Sequence, residues 1–221
     1  MGEPLKRNVR FLPMDIRAIL VLALLITSCG NSVRYVTAPP TPPSARQELR
    51  VVIPEEIEKY SYIRSIDSLA QENGLSKLRQ TILPNNDLEV RVQVGFGLYG
   101  VDALLLKRAA GEWKAEHYRG MICPSGGRGK VTLAAPKSGW EAAWQRLRDA
   151  GLLSLSGVKD SGINDGTSYV VETNLNHTYL VYAFANPDHL KDRDGKQMVA
   201  IGDVIADEFG LETFKINYVC R

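Results

Sequence analysis

Four stretches of this 221-residue chain place residue types at spacings that can do chemistry. Residues 94–101, VGFGLYGV, set Gly95, Gly97 and Gly100 in the G-x-G-x-x-G spacing of a dinucleotide-binding turn. In such a turn a buried strand passes into a helix whose N-terminal amides hold a pyrophosphate. Residues 124–131, PSGGRGKV, approach a P-loop. However, Pro124 takes the first glycine position, and Val131 stands where a magnesium-holding hydroxyl belongs. Ser161–Glu172 and Lys191–Gly195 approach calcium loops. Ile163 fails as a ligand in the first, and Leu190 and Ile201 fall at the end positions of the second. The parts for hydrolysis are His117, His177 and His189 with Ser168, Asp165 and Glu172, yet neither a G-x-S-x-G elbow nor an H-E-x-x-H pair is present. The sequence therefore assigns no catalytic residue, cofactor or metal site.

The elements that must position these residues decide the matter. A helix over about 54–73 has Pro54 in its first turn, Gly74 beyond its end, and Ile63, Ile66, Leu69 and Ala70 on one side. A second, over about 139–150, has Ser138 and Glu141 at capping-box spacing and Trp140, Trp144 and Leu147 in one stripe. The third, over about 195–209, has Asp194 and Gln197 as caps, Met198, Ile201 and Ile205 as its buried stripe, and Gly210 as its stop. Strands are expected at 88–94, 101–108, 112–118, 129–134, 167–173, 178–185 and 213–219. Hairpins dominate this order. It predicts an α+β fold, with a mainly antiparallel sheet of six or seven strands packed with three helices in one domain, residues 49–221.

That frame bears on the glycines. Leu88, Val90, Val92 and Val94 alternate with Glu89, Arg91 and Gln93, the pattern of an antiparallel strand with one face in water. A dinucleotide fold needs a continuously apolar first strand. The glycine run is thus expected to join two strands, with Phe96 and Leu98 tucked inward or exposed as a contact. TYLVYAFA, residues 178–185, is apolar on both faces and is expected at the sheet centre. Tyr169, Tyr179 and Tyr182 are expected to serve sheet packing rather than an interaction surface.

The amino terminus carries Lys6, Arg7, Arg10 and Arg17, then nine apolar residues from Ala18 to Ile26. These are too few for a bilayer span of about 20 residues, and they fit a secretory signal. The run ends in Ile26-Thr27-Ser28-Cys29. Here the chain resembles bacterial lipoproteins, whose lipobox sets a branched apolar residue and two small residues before a cysteine. The resemblance implies that residues 1–28 are a signal peptide and that Cys29 is the lipidated first residue of the mature chain. It also implies several acyl chains, where a single one binds a membrane only marginally. Gly30, Asn31 and Ser32 include no acidic second residue, which by the same resemblance points to the outer membrane, facing the periplasm. Met14 offers a second start, with a basic region of more usual length. Residues 29–48, with proline pairs at 39–40 and 42–43, make a semi-rigid tether. Residues 165–187 are similar to a pattern in uncharacterised exported bacterial proteins, a resemblance that carries no activity.

Without residues 1–28 the chain loses Lys6, Arg7, Arg10 and Arg17 from 27 Lys and Arg, and Glu3 and Asp15 from 25 Asp and Glu, leaving 23 of each. No basic excess remains for a nucleic acid, and export argues against a nucleotide cofactor. Cys123 and Cys220 remain in a compartment where disulfides persist. A bridge between them would add up to about 4–5 kcal/mol by chain entropy; two buried free thiols are the alternative. The expected role is a non-catalytic binding or assembly module. Its partners would be the membrane, through the lipid on Cys29, and an envelope protein or ligand. An exported hydrolase joining His117 or His177 to a carboxylate and a hydroxyl is one alternative. An inhibitor of an exported enzyme presenting loop 94–101 or 123–130 is the other. Replacing Cys29 with Ala is expected to abolish lipidation and release the protein from the membrane fraction; unchanged fractionation would contradict the anchor.

Overall fold

The computed structural model of the chain describes residues 48–97, 100–120, 129–163 and 166–215. The lipobox and Cys29, the tether to residue 47, Leu98, Tyr99, Cys123, Cys220 and residues 216–219 of the expected last strand lie outside the described residues. Within Ala45–Arg221 the elements are β1 (Arg50–Val52), α1 (Glu55–Lys59), α2 (Tyr62–Glu72), β2 (Leu88–Gly97), β3 (Gly100–Ala109), β4 (Glu112–Arg119), β5 (Gly129–Thr132), α3 (Trp140–Asp149), β6 (Val158–Asp160), β7 (Ser168–Leu175), β8 (Thr178–Ala185) and α4 (Arg193–Phe209).

The fold is α+β, as expected. Its sheet is mixed and larger than expected: eight strands in the order β1-β8-β7-β2-β3-β4-β5, with β6 also paired to β8. Strands β2 to β5 form an antiparallel meander, and the β7–β8 hairpin docks antiparallel on the free side of β2. The two additions, β1 and β6, each pair three residues parallel to β8, too short a run to register as a period-2 pattern. β8 has neighbours on both sides and both of its faces are buried, as TYLVYAFA predicts, but it stands second from the edge of the sheet. The expected central place belongs to β2, because β8 gains its outer neighbours only from the short β1 and β6.

Each sheet face has its own cover. Leu88, Val90, Val92 and Val94 of β2 point into the main core, where Trp144 and Leu147 of α3 and Met198, Ile201 and Ile205 of α4 close over them. On the opposite face, Ile57 of α1 and Ile66 of α2 pack on Val170, Tyr179, Val181 and Ala183, while Leu69 packs on Ala103, Leu105 and Tyr118. Tyr169, Tyr179 and Tyr182 are all buried, so packing is their role. The expected solvent face of β2 is a correction. Glu89, Arg91 and Gln93 are 5%, 2% and 1% exposed, because α2 and the turn after it cover them.

Four local expectations change. The first helix is broken at Ser61, whose left-handed φ of 57° separates α1 from α2, so the described residues hold four α-helices rather than three. Ser138 does not cap α3 with Glu141. Its amide and hydroxyl bind the Glu208 carboxylate, each at 2.9 Å, and Glu141 accepts from Trp113 Nε1 at 2.6 Å. The cap of α4 is Asp192, which accepts from the Gly195 amide at 2.8 Å; the buried Asp194 bonds Ser156 instead. Residues 212–214 form a 3₁₀ turn rather than the start of a strand, since Gly210 ends α4 and Phe214 turns back into the main core.

The glycine motif lies in the β2–β3 hairpin. The register slips between Gly95 and Gly97, and β3 begins at Gly100 antiparallel to β2. A Cβ at Gly95 would stand 2.1 Å from the Gly100 carbonyl oxygen, so glycine is needed for backbone contact. Among the described residues strand returns to strand, antiparallel, where a dinucleotide turn would lead into a helix. Phe96 tucks inward, edge-on to Tyr62 with ring centroids 5.4 Å apart.

Candidate functional site

The sheet's second face concentrates charge. Across the strands, Arg91 aligns with Glu172 of β7 on one side and Leu105 of β3 on the other, and Leu105 aligns with Glu116 of β4. One pleat away, Glu89 aligns with Lys107, which stands opposite Lys114. Lys130 of β5 lies beside Tyr118.

Beneath α2 these groups form a buried network. Arg91 Nε and Nη2 donate to Glu89 Oε1 at 2.9 and 2.7 Å, and Nη2 also reaches the Ser76 carbonyl at 2.8 Å. Glu172 accepts from Gln93 Nε2 at 2.7 Å and from the Tyr179 hydroxyl at 3.0 Å. Asn174 Nδ2 donates to the Thr81 carbonyl at 2.7 Å. The turn after α2 is thus fastened to the sheet at Ser76 and Thr81. Arg79 and Lys77 in that turn pair with Asp67 of α2 at 2.7 and 3.1 Å. Burial drives the Glu172 carboxyl above its usual range, against the pull of Arg91 and the Tyr179 hydrogen bond. It opposes the charge on Arg91 too, but Glu172 and Glu89 outweigh it and hold the guanidinium charged. The Tyr118 and Tyr179 hydroxyls are raised as well, first by burial. Gln93 stands beside the Tyr118 hydroxyl as its hydrogen-bonding neighbour, and Asn174 Oδ1 is buried without a partner among the described residues, a cost of about 1–3 kcal/mol.

Where α2 ends, the face opens into a groove of ≈ 620 Å³, inside the range of about 300–1,000 Å³ for small-ligand sites. Gly74, Leu75, Ser76 and Thr81 line it from the turn, and Glu89, Arg91, Leu105, Lys107, Lys114, Glu116 and Lys130 line it from the strands. Each buried glutamate meets two cations. Lys107 Nζ lies 3.6 Å from Glu89, Lys114 Nζ lies 2.7 Å from Glu116, and Lys130 Nζ lies 3.5 Å from Glu116. Burial opposes ionisation of Glu116, but the Lys114 hydrogen bond and the Lys130 charge hold its carboxyl below the usual range.

The residues nominated for hydrolysis do not converge. His117 pairs with buried Asp102, whose other oxygen takes the Thr213 hydroxyl. A carboxylate and a hydroxyl therefore do stand near His117, but the carboxylate lies between the other two. Activating a nucleophile requires the imidazole to meet the hydroxyl. With side chains 6% and 1% exposed, His117 and Asp102 anchor the 212–214 turn to the sheet. His177 sits in the β7–β8 turn against Asn85, and exposed His189 lies 3.5 Å from Asp188. Ser168 accepts from the Tyr62 hydroxyl at 3.0 Å, and Asp165 is outside the described residues. Among the described residues no group of three or more His, Cys, Asp or Glu is placed to hold a metal, and no helix is long and apolar enough to cross a membrane.

Sequence reasoning missed the groove because it placed Glu89 and Arg91 in water. The available signal was the apolar run Ile63, Ile66, Leu69 and Leu78 beside them in the chain, which requires a sheet face to cover. No protein-family model matches the chain, and no curated protein matches it.

The raised carboxyl of Glu172 gives a signed pH effect. Its proton is held more tightly folded than unfolded, so the associated stability is full below its ordinary value of 4.5 and is lost as pH rises through the folded value. Glu172→Gln keeps the shape without the charge. Urea unfolding from pH 4 upward is expected to show the wild type losing stability relative to this variant; parallel curves would contradict the buried, proton-holding carboxyl.

Proposed function

We propose that the chain is a lipid-anchored binding protein of the bacterial outer membrane, facing the periplasm, that works without catalysis and receives its ligand in the groove over Arg91 and Glu89. One observation carries the reading: an open groove with a buried charged floor and a row of lysines above it. The lysines neutralise the buried Glu89 and Glu116, but Lys107 and Lys114 also keep 38% and 55% of their side chains open to the groove. Like charges set directly opposite on a sheet are destabilising. The Ile26-Thr27-Ser28-Cys29 lipobox supports the anchor. The tether at 29–48 adds a reach of up to roughly 60 Å if fully extended.

A photo-crosslinking residue at Glu112, exposed on the groove lining, in the anchored protein in intact cells is expected to give a discrete adduct. The same residue at Arg148, exposed on the outer side of α3, is expected to give none. No adduct at position 112, or equal adducts at both positions, would contradict the reading.

A further inference from the structure

The charges in the groove follow a pattern with one member missing. Arg91 and Lys107 flank Glu89, and Lys114 and Lys130 flank Glu116. Cation, carboxylate, cation occurs twice. The two sets meet at Lys107 and Lys114, which are cross-strand partners on β3 and β4 with no carboxylate aligned between them. Within the lining, four cations thus meet two buried carboxylates, and Glu172 faces Arg91 from β7 beneath it. Glu112, the third acidic residue of the lining, sits at the exposed start of β4 and leaves the groove with one positive charge in excess.

Two ammonium groups are only partly engaged. Lys107 and Lys130 lie 3.6 and 3.5 Å from their glutamates, beyond the usual hydrogen-bond length of about 2.7–3.2 Å. Their protons remain available to an incoming acceptor, and the ammonium of Lys114, bonded to Glu116 at 2.7 Å, keeps further donors of its own. Beside them Leu75 and Ala109, both partly exposed, add apolar surface to the lining.

We infer that the groove takes a carboxylate-bearing ligand, its carboxylate seated between Lys107 and Lys114 and its apolar stem lying along Leu75 and Ala109. The inference rests on the groove being the binding surface. A carboxylate is the group the site already repeats, since Glu89 and Glu116 each bridge two cations in the same way. An acidic peptide side chain or chain end has this chemistry: a planar acceptor pair on a short carbon stem.

The test uses the full chain in detergent, titrated calorimetrically with tetraglutamate at fixed ionic strength, with inorganic phosphate as a parallel arm. Saturable tetraglutamate binding is expected. Lys107→Gln and Lys114→Gln should each weaken it by about tenfold or more, the scale of losing one charge-assisted hydrogen bond. Lys137→Gln, outside the groove lining, should leave it unchanged. Urea midpoints of the variants check that they fold. Absence of saturable binding, or binding indifferent to Lys107 and Lys114, overturns the inference. Phosphate binding with the same lysine dependence, at equal or greater affinity, also overturns the carboxylate assignment. If tetraglutamate fails while the adduct at position 112 persists in cells, the ligand class alone is wrong. If both fail, the groove is not a binding surface.

Discussion

A buried guanidinium governs the second face of this sheet. Arg91 is 2% exposed and must be neutralised where it lies; Glu89 does so directly, and Glu172 stands across the strand pair. Removing one partner of a buried charge pair costs about 3–5 kcal/mol, against about 0–1 kcal/mol for an exposed pair. The same guanidinium donates to the Ser76 carbonyl. One side chain therefore neutralises a charge and holds down the turn that covers it.

From that constraint the groove follows. α2 covers the face as far as Leu69, which packs on Ala103, Leu105 and Tyr118. Beyond it the cover thins to the turn fastened at Ser76 and Thr81. The strands continue outward to β4 and β5, carrying Lys114, Glu116 and Lys130 past the edge of the cover. A charged sheet face half under a turn and half open has a dry floor and a wet rim. Electrostatic contacts are stronger at such a floor than on a flat surface. The other helix layer is held independently, with Glu208 of α4 bound to the Ser138 amide at the start of α3, where a carboxylate is favoured by the exposed amides and the helix dipole.

Much of this fold is legible in local pattern. Period-2 alternation places β2, the run apolar on both faces places β8, and the Trp140, Trp144, Leu147 stripe places α3, because these signals lie within one element. What alternation cannot say is whether a polar face meets water or protein. Glu89, Arg91 and Gln93 read as solvent-facing, yet their partners are Glu172, on a strand about 80 residues later, and Ser76, in a turn before β2. Long-range pairing also hid β1 and β6, and a single left-handed residue, Ser61, hid the break between α1 and α2. The glycine motif shows the reverse case. Its spacing resembled a cofactor turn, while the strand beside it correctly announced a hairpin, and Gly95 is explained by its contact with Gly100.

The central claim is mechanical as well as electrostatic: Arg91 clamps the turn that forms one wall of the groove. Amide hydrogen exchange on Arg91→Lys tests it most directly, since lysine keeps the charge and loses the fork that reaches both Glu89 and Ser76. The reporting amides are Leu75, Gln80 and Thr81, bonded to Ala70, Lys77 and Leu78. The account predicts faster exchange at these three amides, with protection in β2, β3 and β7 retained. Unchanged exchange in the turn, or acceleration spread evenly through the sheet, would contradict it.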